Sequence, residues 1–137
     1  MVAGGELYDA SAQPAFIAVV DGDPAGLLTY RLTDEALLVV SLDAVVKRRG
    51  IGATLLNHAF DDARGRGLQR VWLTTSNELA DALAFYLSQG MRLTEVNLDA
   101  MADARQLKPL IPTHAADGTP IRDEWVLERA LRNNRDA

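Results

Sequence analysis

The sequence predicts one mixed α/β domain, and three observations lead to this fold class. Residues 36–43 are apolar on both faces, as in a central strand that is covered on two sides. Apolar side chains then recur every four residues over 51–63, which indicates an amphipathic helix. The alternation repeats with a strand pattern over 70–75 and a helical pattern over 80–87. With 137 residues, 48% of them hydrophobic, the chain is expected to form a single domain over 1–137.

A β-hairpin is predicted before this central strand. Ala15–Val20 is an apolar, β-branched run, and Leu27–Arg31 resumes a strand pattern. Between them, Asp21–Gly26 is rich in turn-forming residues. The two runs are therefore expected to be joined by this turn.

The remaining elements follow from glycine, proline and hydrophobic spacing. The first helix is expected to end near Arg64–Gly67, because glycine adopts the left-handed conformation that closes helices. Residues 91–97 predict a strand and residues 98–107 a short helix. Residues 108–123 contain three prolines and Gly118, which favours a long loop. The period of residues 124–131 is ambiguous, and the Trp-Val-Leu run favours a strand over a helix.

Composition excludes several classes of function. The chain has 14 Lys plus Arg against 19 Asp plus Glu, and its net charge of −5 opposes non-specific attraction to nucleic acid or anionic membranes. The sequence contains no cysteine, which excludes disulfides, thiolate metal sites and cysteine nucleophiles. No apolar run is long enough for a membrane helix, and Met1–Ala10 lacks the pattern of a signal peptide. We expect a soluble, cytoplasmic protein with no nucleic-acid or membrane partner.

The turn between the central strand and the first helix carries the most chemical information. It reads Lys47-Arg48-Arg49-Gly50-Ile51-Gly52-Ala53, so three cations precede a glycine-rich helix start. Free N–H groups and the positive end of the helix dipole make such a start an anion site. The spacing matches neither a P-loop nor a dinucleotide fingerprint. A phosphate-bearing ligand fits best, and the alternative is a glycine-rich turn with solvated cations.

A second motif gives this turn a specific meaning. The chain resembles the GNAT superfamily of acetyl-CoA-dependent acyltransferases, whose phosphate signature is Gln or Arg, two residues, Gly, one residue, then Gly or Ala. Residues 47–52 have this spacing, with Lys47 where Gln or Arg is usual. Residues 85–91, Phe-Tyr-Leu-Ser-Gln-Gly-Met, look like the family's "Leu-Tyr, three residues, Gly-Phe" segment, with Met91 in place of Phe. The resemblance covers roughly residues 15–131.

The resemblance implies a fold and a way of binding the acyl donor. It implies a mixed, mostly antiparallel sheet that is flanked by helices and splayed between two central strands, with the pantetheine arm of acetyl-CoA in the gap. The strand edge at Leu42, Ala44 and Val45 would bond the pantetheine. The pyrophosphate would lie on the loop and helix start, formed by Lys47, Arg48, Arg49, Gly50, Ile51, Gly52 and Ala53.

The resemblance also implies a catalytic tyrosine and a cofactor-binding asparagine. Tyr86 matches the family's tyrosine that hydrogen-bonds or protonates the departing thiolate of coenzyme A. A phenol, with an ordinary pKa of about 10, can donate to a thiolate while remaining neutral at pH 7. Many members place an asparagine seven residues before this tyrosine, where the present chain has Leu79. Asn77 is the nearest candidate for the pantetheine contact, and a capping or loop role is the alternative.

The general base is left open by the sequence. Aminolysis of a thioester needs a neutral amine, so a carboxylate commonly removes the extra proton. Asp43 and Glu124 are the main candidates, with Asp123 and Glu35 as further possibilities. The two histidines have no metal-ligand spacing, so neither a metal site nor a metal cofactor is expected.

These observations lead to one functional hypothesis and two alternatives. We expect an N-acetyltransferase in which the amine of a small molecule or peptide attacks acetyl-CoA directly, without a covalent enzyme intermediate. One alternative is a non-catalytic, regulatory module that binds acyl-CoA. The other is an interaction protein with a vestigial cofactor site.

The start of the hairpin leads to an expectation about assembly. Members of the family usually have a strand and two helices before the hairpin, whereas this chain reaches its hairpin near Ala15. The N-terminal helical segment is therefore expected to be largely missing. Because those helices normally wall the acceptor side, we expect a homodimer in which another subunit covers it.

Overall fold

The computed structural model describes residues 1–45 and 50–131. Within them lie eight strands, three α-helices and one short 3-10 helix. In chain order they are β1 (Val2–Ala3), β2 (Glu6–Leu7), the 3-10 helix (Ala10–Ala12), β3 (Ala15–Val20), β4 (Asp23–Leu32), β5 (Ala36–Ala44), α1 (Ile51–Gly65), β6 (Arg70–Ser76), α2 (Ala80–Ser88), β7 (Arg92–Asn97), α3 (Ala100–Leu107) and β8 (Glu124–Ala130). The mixed, mostly antiparallel α/β fold class is thus confirmed.

The chain divides into two compact units. The first unit contains Met1–Tyr8 and Leu73–Glu128, and the second contains Asp9–Trp72 and the chain from Arg129 onwards. Strand β6 begins in the second unit and ends in the first. The single domain expected over 1–137 stays a prediction.

The second unit is an antiparallel meander covered by a helix. Strand β4 pairs with β3 on one side and with β5 on the other, both antiparallel. Helix α1 packs against these strands through one apolar face, which buries Leu55, Leu56 and Phe60. Leu28 on β4 and Leu37 on β5 are completely buried. The predicted hairpin, central strand and amphipathic helix are all confirmed.

Strand β5 has two different sides. On one side it pairs with β4 from Leu37 to Ala44. On the other, the parallel ladder with β6 comprises three residue pairs, in which Ala36–Leu38 face Arg70–Trp72. Among the described residues, the part of β5 from Val39 to Ala44 therefore has its strand partner on the β4 side alone.

The first unit contains the other two helices. Strand β8 pairs antiparallel with β7 and lies between β7 and β6. Helix α3 buries Met101 and Ala104 against Ile121 in a small apolar cluster. The strand predicted over residues 124–131 and the short helix predicted over 98–107 are both confirmed, with the helix beginning at Ala100. The two short strands β1 and β2, which lie before residue 9, pair with each other.

A turn was predicted over Asp21–Gly26, and the turn in the structure is shorter. The turn is confined to Asp21 and Gly22, and β4 begins at Asp23. Pro24 is accepted within this strand next to a register irregularity at Ala18 and Val19. The prediction of a longer turn was wrong because residues 23–26, although rich in turn-forming types, are held in a strand by their pairing with β3 and β5.

Gly26 has a packing role that its residue type alone does not reveal. A Cβ atom built on Gly26 would lie 2.6 Å from Cγ2 of Ile51 and 3.0 Å from Cδ1 of Leu55. The start of α1 therefore approaches the backbone of β4 at this position. A side chain here would push the helix start away from the sheet.

Replacing Gly26 tests this contact. Gly26→Ala is expected to lower the free energy of unfolding by about 1–3 kcal/mol, because an added methyl group overpacks the α1–β4 contact. Gly65→Ala is the matched control, since a Cβ atom there would meet no atom within 4 Å. It is expected to raise the free energy of unfolding by about 0.4–1 kcal/mol. Urea denaturation measures both, and equal effects would contradict the packing argument.

Candidate functional site

Two of the three residues that were predicted to bond a pantetheine lie on the free edge of β5. Leu42 and Ala44 lie on this edge and are half-buried, while Val45 follows the strand and is 77% exposed. The N–H of Val45 donates to the carbonyl of Ala25 at 2.8 Å, which holds the strand end against β4. Backbone groups on an edge without a strand partner can bond an extended ligand, as another strand would.

The start of α1 has the geometry of an anion site. Gly50 precedes the helix with φ of 71°, a left-handed conformation that favours glycine. No side chain caps the helix, and the carbonyl of Gly50 accepts from the N–H and the hydroxyl of Thr54, both at 2.9 Å. Within the part of the chain that the structure describes, the N–H groups of Ile51, Gly52 and Ala53 have no capping side chain and could bond an anion. Lys47, Arg48 and Arg49 lie outside the described residues.

Tyr86 lies near the end of α2 in the first unit. Its ring is half-buried and contacts Phe85 edge-on, with the ring centroids 5.4 Å apart. Its backbone carbonyl accepts from Gln89 and Met91, both at 3.1 Å, and Gly90 takes a φ of 85° in the same turn. The helix end therefore fixes the backbone of Tyr86. Its role toward a thiolate stays a prediction.

Asn77 holds the end of the long loop. Its Nδ2 donates to the carbonyl of Pro120 at 2.7 Å, and its Oδ1 accepts from the backbone N–H groups of Arg122 and Asp123 at 2.8 and 3.0 Å. The backbone N–H of Asn77 donates to the carbonyl of Asp123 at 3.2 Å. No pattern in the sequence predicted this loop contact. The pantetheine contact of Asn77 stays a prediction, and its side-chain carbonyl already has two donors.

The two main candidates for the general base lie in different surroundings. Asp43, on β5 in the second unit, is exposed and pairs across the ladder with Leu27. Glu124, at the start of β8 in the first unit, is only 4% exposed. Its Oε2 accepts from the N–H of Gly4 at 3.2 Å and its Oε1 from Nδ2 of Asn97 at 3.1 Å. The Glu124 carboxylate is therefore buried and already hydrogen-bonded.

The further candidates for the base are tied into local structure. Asp123 accepts the N–H of Asp99 at 2.8 Å through its Oδ1. Glu35 lies in the turn before β5, where its backbone carbonyl accepts from Gln69 and Arg70 at 2.7 and 3.3 Å. The sequence did not favour Asp123 or Glu35 as the general base, and these contacts do not favour either of them for that role.

Near the end of β6, no sequence pattern predicted the buried oxygen atoms of Thr75 and Glu78. The hydroxyl of Ser76 donates to Oε1 of Glu78 at 2.5 Å. Within the described residues, Oε2 of Glu78 and Oγ1 of Thr75 are buried and have no hydrogen-bond partner. The available signal was an acidic residue directly after Asn77 and just before a helix.

The described residues contain no group of three or more His, Asp or Glu side chains that could hold a metal ion. His58 instead packs its ring edge-on against Phe16, with centroids 4.5 Å apart. His114 has its Nδ1 3.1 Å from the hydroxyl of Thr113.

Among the residues that the structure describes, every helix is too short or too polar to cross a membrane.

Comparison with known proteins establishes the family. The sequence model of the acetyltransferase (GNAT) family matches residues 3–91. A Bacillus subtilis relative, uncharacterized protein YxbD, is 39% identical over 112 residues, which cover 82% of this chain and 70% of the relative. The chain belongs to the GNAT acetyltransferase family, as the two sequence motifs indicated.

Other relatives and solved structures agree with this assignment. Streptothricin acetyltransferase of Streptomyces lavendulae is 36% identical over 92 residues, covering 64% of this chain and 48% of that protein. A GNAT family acetyltransferase from Elizabethkingia anophelis, crystallised with acetyl-CoA bound, superimposes with a TM-score of 0.77 at 18% identity. That likeness covers 88% of this chain and 78% of the other, and it shows a shared fold.

Removing the Asn77 side chain tests the loop contact. Asn77→Ala deletes three hydrogen bonds to residues 120–123, and we expect the free energy of unfolding to fall by about 2–3 kcal/mol, at roughly 1 kcal/mol for each. Hydrogen exchange at the amides of Arg122 and Asp123 should accelerate. Asn57→Ala, on an exposed face of α1, is the control and should change stability by less than about 0.5 kcal/mol. Unchanged exchange in Asn77→Ala would contradict the role of this contact.

Proposed function

We propose that this protein is an N-acetyltransferase that transfers the acetyl group of acetyl-CoA to an amine. The observation that carries the proposal is the free edge of β5 leading to the uncapped start of α1 at Gly50. The strand edge can bond an extended, amide-containing arm, and the helix start can bond a phosphate. Both belong to the same compact unit, the second.

The proposed binding of acetyl-CoA depends chiefly on backbone groups. Leu42, Ala44 and Val45 would bond the pantetheine, and the N–H groups of Gly50, Ile51, Gly52 and Ala53 would bond the pyrophosphate. Lys47, Arg48 and Arg49 would add positive charge beside the phosphates, as local cations in an acidic chain. The positive φ of Gly50 supports the proposal because it turns the chain into the helix without a capping side chain over the N–H groups.

The proposed reaction is direct attack of the amine on the thioester. The neutral amine nitrogen forms a bond with the carbonyl carbon and loses one proton, which restores the phenol of Tyr86, and the carbon–sulfur bond breaks. Tyr86 would donate its phenolic proton to the departing thiolate, which is a reasonable transfer for a phenol at neutral pH. Relatives include streptothricin acetyltransferase and a ribosomal protein bS18-alanine N-acetyltransferase, which supports an amine on a small molecule or a peptide as the acceptor. The homodimer and the cytoplasmic location stay predictions.

The decisive experiment measures release of coenzyme A thiol from acetyl-CoA in the presence of a panel of amines. Turnover that requires both substrates would support the proposed function. Binding of coenzyme A without turnover of any amine would indicate the non-catalytic acyl-CoA module instead. An unchanged melting temperature with excess coenzyme A would indicate a vestigial cofactor site, because a ligand that binds the folded state must stabilise it.

Tyr86→Phe tests the proposed proton donor. We expect kcat to fall by about 100-fold, the low end of what a positioned acid contributes. The shift of melting temperature by coenzyme A should be retained, since the phenyl ring keeps its packing against Phe85. Tyr8→Phe is the control, because the Tyr8 hydroxyl hydrogen-bonds the exposed Glu6 in the N-terminal segment. Equal kcat values for wild type and Tyr86→Phe would contradict the assignment.

Gly50→Ala tests the phosphate site. A Cβ atom at Gly50 meets no other atom within 4 Å, so the cost is one of backbone conformation, about 1–2 kcal/mol for a non-glycine residue with this φ. If the chain relaxes this strain by shifting the helix start, the Kd for coenzyme A should rise about tenfold, equivalent to about 1.4 kcal/mol. Gly118→Ala, with φ of 89° and open space in the long loop, imposes the same strain elsewhere. An equal change in Kd in both variants would contradict a local role for Gly50.

A further inference from the structure

The first observation is an open pocket on one face of the sheet in the second unit. Its volume is about 230 Å³, and it lies over β3, β4 and the end of β5. Five of the six lining residues are apolar or glycine, and the sixth is an aspartate. The lining residues are Ile17, Pro24, Gly26, Leu27, Asp43 and Val45. All six belong to the second unit, so the geometry of one compact unit describes the pocket.

Strand pairing places the lining side chains on the face of the sheet that points away from α1. Ile17 on β3 pairs with Leu27 on β4, and Leu27 pairs with Asp43 on β5, so these three side chains form one row across the sheet. The neighbouring position on β4, Gly26, is the one that approaches α1. Because successive side chains of a strand point to opposite faces, the row lies on the face opposite the helix.

The apolar side chains of this pocket are exposed. Ile17 is 61% exposed, and Leu27 and Val45 are exposed as well. Apolar surface in water costs free energy, and a contiguous exposed patch of it marks a site for a ligand or a partner. A cavity of roughly 150 Å³ with apolar walls accommodates benzene, so this pocket has room for a phenyl ring or a short alkyl chain.

Asp43 contributes the one charged side chain among the lining residues. Its side chain is exposed at the end of the row that begins at Ile17. A carboxylate attracts a cation, and an alkylamine of ordinary basicity is an ammonium ion at pH 7. A ligand with an ammonium head and an apolar body therefore matches both parts of the lining.

The pocket adjoins the strand edge that is proposed to bond acetyl-CoA. Asp43 lies between Leu42 and Ala44 on β5, and both of these were predicted to bond the pantetheine. Val45, which was also predicted to bond it, lines the pocket. The side chains of Leu42 and Ala44 point to the other face of the sheet from that of Asp43. The acyl donor and a ligand in the pocket would therefore share the end of β5.

We propose that this pocket is the acceptor site, and that the acceptor is a primary amine with an apolar substituent, such as an alkyl chain or a phenyl ring. This assignment rests on the proposed function. The apolar body lies against Ile17, Leu27 and Val45, and the ammonium group pairs with the carboxylate of Asp43. Because the pocket is open, water takes the proton that the ammonium loses before its nitrogen attacks the thioester.

Leu27→Thr tests the apolar wall, because it keeps a residue that favours strands and replaces apolar surface by a hydroxyl. The acceptors are n-butylamine and 2-methoxyethylamine, which have the same number of non-hydrogen atoms. In the wild type, kcat/KM should be about tenfold or more higher for n-butylamine, since an apolar pocket discriminates by about this factor. In Leu27→Thr the ratio should fall to about threefold or less, because part of the apolar wall is lost.

Leu32→Thr is the matched control. Leu32 lies on the same strand, is 37% exposed against 36% for Leu27, and is not among the lining residues. Its ratio of kcat/KM values should equal that of the wild type. The two amines differ in basicity, but that difference is the same in every assay and does not affect the comparison between variants. Equal ratios in Leu27→Thr and wild type would overturn the assignment.

Asp43→Asn tests the ionic contact. We expect KM for n-butylamine to rise about two- to fivefold, the size of an exposed ion pair, while kcat stays close to the wild-type value. The rise should shrink at about 1 M salt, which screens exposed charges. Asp34→Asn removes an exposed carboxylate from the turn before β5 and should leave KM unchanged. A loss confined to kcat would show a chemical role for Asp43 and would overturn the ionic contact.

A binding measurement on the wild-type protein separates this inference from the proposed function and does not depend on the folding of a variant. In an NMR titration with n-butylamine, the methyl signals of Ile17, Leu27 and Val45 should shift in a saturable way, and those of Leu32 should not. Absence of these shifts would refute the pocket, whether or not amines are acetylated.

The remaining outcomes are also decisive. Absence of turnover with every amine would refute the proposed function, and methyl shifts would then retain the binding site while refuting its role for an acceptor. Turnover without a preference for n-butylamine would refute this inference alone. If light scattering shows that Leu27→Thr converts a dimer into a monomer while the amine preference is unchanged, a second copy of the chain covers this face and the assignment fails.

Discussion

The short parallel ladder between β5 and β6 is the constraint on which the rest of the architecture depends. Two parallel neighbours must be joined by a crossover, and here α1 provides it. The ladder has three residue pairs, after which β5 from Val39 to Ala44 is paired, among the described strands, with β4 alone. Backbone donors and acceptors need partners. A strand edge that the protein does not pair for itself is thus available to a ligand of matching backbone-like chemistry.

Most of the fold could be predicted from the sequence because its elements have strong local patterns. The four-residue spacing from Ile51 to Ala63 and the apolar run from residue 36 are sufficient to identify α1 and β5. The turn over Asp21–Gly26 was overestimated because pairing to both neighbouring strands outweighs local turn preference. Gly26 resembles a turn glycine in sequence, and only the approach of Ile51 reveals its packing role.

The site could be predicted less completely, for a physical reason. The glycine-rich turn and Tyr86 are recognisable because their spacing along the chain carries the information. Asn77 bonds residues that are 43 to 46 positions away, and no local pattern encodes that contact. Within the described residues, Oε2 of Glu78 is buried without a donor, which is a property of the folded chain that no local pattern predicts. Spacing along the chain thus predicts where the donor substrate would bind, whereas contacts between distant residues are visible only in the packed structure.

The contact between Gly26 and Ile51 has a consequence for how this family member can vary. Ile51 is the first residue of α1, whose backbone N–H groups would form the proposed phosphate site, and its side chain rests on the one position of β4 that has no side chain. The side chains at positions 26 and 51 therefore compete for the same space. Over evolutionary time the two residues should change as a pair, with a larger residue at 26 accepted only beside a smaller one at 51.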